Sequence, residues 1–135
     1  MENFPIELIS ATNATMKGSS GAVSLEIELA PFELKIDDYS ESVKTSIRLE
    51  GINTPLSFSE LEGREFLFPI NPEDGYIDGS VYFFAAHSPV DVTKIIFGKA
   101  EAGKLEAIIE SEWVLEFENT GYKNFKHTLE VTLEL

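Results

Sequence analysis

The sequence predicts an all-β fold, an antiparallel β-sandwich or a closed β-barrel of about eight strands, with at most one short helix around residues 57–65. Three observations carry that expectation. Apolar and polar residues alternate with period two along most of the chain, the pattern of strands that bury one face and wet the other. Clusters of Gly, Pro, Asn and Asp interrupt the alternation at short intervals. The 135 residues suffice for one core, in a single domain spanning residues 1–135, that needs neither disulfide nor metal.

The elements follow in order. Asn13–Gly21, with Lys17, Gly18, Ser19 and Ser20, is rich in turn-forming residues and is the expected soft spot. In Ala22–Ala30, Val23, Leu25, Ile27 and Leu29 hold one parity against Ser24, Glu26 and Glu28, which makes a half-buried strand. Phe32, Leu34 and Ile36 repeat the pattern, and Asp38–Tyr39–Ser40 reads as the turn of a hairpin or bent strand pair. Val43–Glu50 is a weaker strand that Gly51 and Pro55 break. Ser57 is placed to cap a helical turn carrying Phe58, Glu60, Leu61 and Glu62, which Gly63 ends.

Glu65–Ile70 is expected as a strand and Asn71–Gly75 as a turn. The apolar run Tyr76–Ala86 and the segment Val90–Gly98 after Pro89 read as central strands, with Ala102–Gly103–Lys104 turning the chain again. In Leu105–Glu118 seven residues from Leu105 to Phe117 hold one parity and Glu106, Glu110, Glu112, Glu116 and Glu118 dominate the other. That length exceeds an ordinary strand, so a bend or bulge is expected near Ser111. Asn119–Thr120–Gly121 signals a hairpin, and Phe125–Leu135 returns as a final strand antiparallel to its predecessor.

Twenty-four acids against ten bases give a formal charge of −14, split evenly as −7 in residues 1–67 and −7 in residues 68–135. Such a field repels phosphate backbones and anionic lipid surfaces, which argues against nucleic-acid and membrane partners. The absence of cysteine removes thiolate zinc sites, iron–sulfur clusters and cysteine nucleophiles. No basic segment followed by an apolar stretch opens the chain and no apolar run is long enough to span a bilayer, so a soluble, cytoplasmic protein is expected.

Chemistry-bearing patterns are sparse. Two histidines, His87 and His127, are too few for a three-histidine metal site. Ser88, His87 and Asp91 lie together in sequence, but no Gly-x-Ser-x-Gly elbow accompanies them and neighbours in one loop rarely form a triad. His87 is expected as a loop residue bonded to backbone, and His127 as a packing residue at the start of the last strand. Asp74–Gly79 fails as a calcium loop, because neither register puts acids at the required positions. No phosphate-cradling glycine motif is present. No metal and no cofactor are expected.

Two candidate sites remain. The first is the acidic parity Glu106, Glu110, Glu112, Glu116 and Glu118, a single-sign sheet face suited to a basic protein partner, as in immunity-type inhibitors of basic toxins. The second is a loop site of Tyr76, Asp78, His87 and Asp91. The expected function is that of a non-enzymatic binding protein. The alternative is a barrel or sandwich that holds a small apolar or carbohydrate ligand in its interior, walled by Phe83, Trp113 and Tyr82. An enzyme centred on His87 ranks third. Tyr39, Tyr76, Tyr82 and Tyr122 are the aromatics expected near turns or rims. A monomer is expected, or a homodimer paired along the edge of Phe125–Leu135 if that strand is free.

Overall fold

Alternation is realised as a closed barrel. The computed structural model describes residues 1–135, and its ten strands are β1 (Ala11–Ser19), β2 (Ala22–Leu29), β3 (Phe32–Ile36), β4 (Tyr39–Val43), β5 (Ser46–Ile52), β6 (Glu65–Leu67), β7 (Asp78–Phe83), β8 (Ala86–Glu101), β9 (Lys104–Trp113) and β10 (Phe125–Glu134). A 3-10 turn, Ile6–Leu8, precedes them, and a one-turn helix α1 (Phe58–Leu61) lies between β5 and β6. Seven strands close in the order β8-β7-β5-β2-β1-β10-β9, with β9 pairing back to β8. β6 pairs with β8 farther along the same strand, at Glu65↔Ile96, and β3–β4 form a separate hairpin.

The barrel is antiparallel except where β1 meets β10. That pair is parallel and has only two rungs, Ala14↔Leu133 and Thr15↔Glu134, while β1 bulges between Ala11 and Ala14. β10 is therefore paired with β9 along its whole length and with β1 only at Leu133 and Glu134.

Parity predicts burial wherever the strands run straight. Val23, Leu25, Ile27 and Leu29 of β2, Leu105, Ala107, Ile109 and Trp113 of β9, and Leu129, Val131 and Leu133 of β10 all face the interior. They belong to one core of 30 buried apolar residues, a burial that dominates the favourable side of folding. Phe4 closes one end. Its ring lies 5.3 Å from those of Tyr122 and Phe125 and 5.6 Å from Trp113, and reciprocal bonds hold the segment: Glu2 N–H to Gly121 O and Lys123 N–H to Glu2 O, both 2.9 Å.

Several boundaries depart from the sequence reading. The run Tyr76–Ala86 is not one strand, because the chain reverses at Phe84–Ala85, both at positive φ (51° and 60°), so that Phe83 pairs with Ala86. His87, Ser88 and Pro89 consequently belong to the sixteen-residue β8 and not to a loop. Asp37–Asp38, not Asp38–Ser40, turns the β3–β4 hairpin, which places Tyr39 and Ser40 in β4. Gly51, at φ 73°, continues β5 through a bulge instead of ending it. β9 stops at Trp113 and runs in unbroken register against β10. The irregularities expected near Ser111 sit on β8, between Val92 and Lys94 and between Phe97 and Ala100. Ser57 makes no capping bond to the helix, and its hydroxyl meets that of Ser59 instead.

Candidate functional site

The outer face of β8, β9 and β10 carries the acidic residues as rungs. Asp91 faces Glu112, which faces Lys126; Lys94 faces Glu110; Ile96 faces Ile108, which faces Glu130; Glu106 faces Thr132. Where β1 and β10 separate, this face deepens into a groove of about 460 Å³. Ile96, Gly98 and Ile108 contribute its apolar surface, and Glu106 and Glu130 its charges. Ile96 and Ile108 are half-buried although they point outward.

The five predicted glutamates divide into different environments. Glu106 Oε1 accepts the Lys99 backbone N–H at 3.2 Å and so fastens the β8 bulge. Gly98 makes room for it, since a Cβ there would lie 3.3 Å from Glu106 Oε1. Glu110 approaches Lys94 Nζ at 3.9 Å, and Glu65 shares that ammonium at 3.3 Å. Glu112 stands opposite Asp91, whose carboxyl is pushed above its ordinary range first by burial and then by the Glu112 charge.

Glu116 and Glu118 are not on the strand. Glu116 closes the β9–β10 loop: its backbone N–H donates to Asn124 Oδ1 at 2.9 Å and its Oε2 accepts the Asn124 N–H at 3.0 Å. Glu118 lies beside Phe117, which is 72% exposed although it shares the apolar parity. The parity reading fails there because the strand has already ended.

The four residues of the loop candidate lie in the turn before β7, on β7 and on β8. Tyr76 is in the turn before β7, its N–H bonded to Glu73 O at 3.2 Å. Asp78 faces Glu50 of β5, His87 faces Tyr82, and Asp91 faces Glu112. Ser88, His87 and Asp91 form no triad, because Ser88 points into the core, fully buried and without a hydrogen-bond partner, while its sequence neighbour His87 faces outward. His127 faces Ser111 and packs near Trp113 and Phe125; burial lowers its pKa.

Of the aromatics, Phe83 and Trp113 are core residues, whereas Tyr82 is 46% exposed on the outer face. Tyr39 is exposed too, but Tyr122 is buried and donates its hydroxyl to Lys35 O at 2.5 Å. Burial first, and Glu2 second, raise the pKa of that phenol.

A second depression, of about 590 Å³, opens on the outer face of β5, β7 and β8. Sequence reading missed it. Its members come from three segments that alternation marks only as solvent-facing, and only the register shows that they converge. No helix is long and apolar enough to cross a membrane. No protein-family model, curated protein or solved structure matches the chain.

Proposed function

We propose that this protein is a non-enzymatic binding module whose acidic outer face, on β8, β9 and β10, receives a basic protein partner. The observation that carries the reading is the groove: outward-facing Ile96 and Ile108 lie half-buried between Glu106 and Glu130. An apolar centre with a charged rim is the anatomy of a protein interface, in which the centre supplies binding energy and the rim supplies steering and orientation. The facing acids Asp91 and Glu112 add to this, since a partner cation between them relieves a repulsion the free protein bears.

The reading is tested by reversing Glu110, Glu112 and Glu130 to Lys; Glu116 is spared because it closes a loop. A pull-down at low salt from lysate of the source cells supplies the basic partner; its association with the variant should be slower by roughly tenfold or more and lose much of its salt dependence. Replacing Ile108 with Ala should instead act mainly on dissociation. An association rate and salt slope that survive the reversal would reduce the acidic face to a solvated surface.

A further inference from the structure

The depression on β5, β7 and β8 is of opposite character to the acidic face. Lys44, Arg48 and His87 line it together with the hydroxyls of Thr45, Ser46, Ser80 and Tyr82, and no carboxylate lines it, in a chain with 24 acids. Arg48 faces Ser80 across β5–β7, and Tyr82 faces His87 across β7–β8. The two aromatic rings lie 4.7 Å apart at 55°.

We infer that this cleft binds a phosphate oxyanion, either free or as the terminal group of a small phosphomonoester. Its donors are only lightly committed: Lys44 forms no ion pair, and Arg48 has one exposed ion pair, to Glu26 at 3.9 Å. Of the seven lining side chains, none makes a hydrogen bond within the protein. A planar carboxylate is satisfied by one guanidinium fork. A tetrahedral dianion offers oxygens in several directions, which suits a fork and a point-charge ammonium from residues 44–48 and hydroxyl donors from that segment and from β7.

The cleft volume lies within the range of small-molecule sites, and the Tyr82–His87 wall gives a ring on the ester a surface to pack against. The net charge of −14 opposes any anion at long range, so binding here depends on the local cations.

The test is a proton–nitrogen NMR titration with inorganic phosphate and, separately, phenyl phosphate, each referenced to sodium chloride at matched ionic strength. Phosphate should move the resonances of Lys44–Arg48, Ser80–Tyr82 and His87. The double variant Lys44→Gln, Arg48→Gln should weaken binding by roughly tenfold or more, while Lys44→Arg, which keeps the charge, should retain it. Tighter binding of phenyl phosphate that is lost in Tyr82→Ala identifies a phosphomonoester ligand, and equal affinities identify free phosphate. The inference is overturned if chloride moves the same resonances equally, if Lys94 and Lys126 respond as strongly, or if the double variant binds unchanged.

Discussion

Asp91 and Glu112 illustrate how a single rung can burden the free fold, a cost that the proposed binding role would turn to use. Asp91 is half-buried and faces a like charge, and both effects raise its pKa in the folded state. The native protein therefore holds the proton more tightly than the unfolded chain does. The associated stability is fully present below the unfolded value of about 3.8 and is lost as pH rises through the higher folded value. At neutral pH the penalty is in force. Asp91→Asn should accordingly be more stable than the parent at pH 7, by about 0.5 kcal/mol for a partly solvated cross-strand pair. That advantage should vanish in acid. Urea unfolding across pH checks the sign, and a neutral-pH loss in the variant would show that the Asp91 carboxylate is stabilising where it stands. The same variant should bind a basic partner more weakly, so stability and affinity should move in opposite directions.

At the scale of elements, the β7–β8 hairpin depends on a turn made of two residues poorly suited to it. Phe84 and Ala85 both adopt positive φ, which costs a side-chain-bearing residue roughly 1–2 kcal/mol. Packing holds Phe84 there: its ring lies 5.1 Å from Tyr39 and 6.2 Å from Tyr122, and its N–H donates to Glu41 Oε2 at 3.0 Å. Exposed Ala85 has no such support. Ala85→Gly should therefore stabilise the protein by about 0.5–1 kcal/mol, the strain relieved less the extra entropy of the unfolded glycine. A lower urea midpoint in the variant would contradict this account. The turn also explains what the sequence left illegible. Without Asn-Gly or Asp-Gly at its centre, the run from Val81 to Ala86 looks like one apolar strand, and the residues that make the turn tolerable, Tyr39, Glu41 and Tyr122, are distant in sequence. Strand parity was legible because burial on one face enforces it residue by residue, as in β2 and β10. Barrel closure, the parallel β1–β10 pair and the cationic cleft were not, because each depends on register between segments that no local pattern relates. The outward strand placement of the acidic residues was legible as far as Glu112; β9 ends at Trp113, so parity no longer places Glu116 and Glu118 on the sheet face.

For the whole molecule, charge sets two opposing responses to salt. Five ion pairs are present on the surface, at 3.3–3.9 Å, and exposed pairs of this kind contribute at most about 1 kcal/mol each. Against them stands the mutual repulsion of a −14 chain folded into a compact barrel, which screening relieves. Raising ionic strength from about 0.01 M to about 0.15 M shortens the screening length from roughly 30 Å to roughly 8 Å. Repulsion spread over the whole molecule weakens far more over that change than contacts at bonding distance. The free protein should therefore melt at higher temperature in added salt, by about 3 °C for each kcal/mol gained at this chain length. Association with a basic partner should slow over the same interval, because it relies on the long-range field that salt removes. Calorimetry of the free protein and association kinetics of the complex, in the same buffers, test the pair. A melting temperature that falls with salt would mean that the ion pairs outweigh the repulsion. The −14 would then not be a strain on the free fold, and the case for a cationic partner would rest on the groove alone.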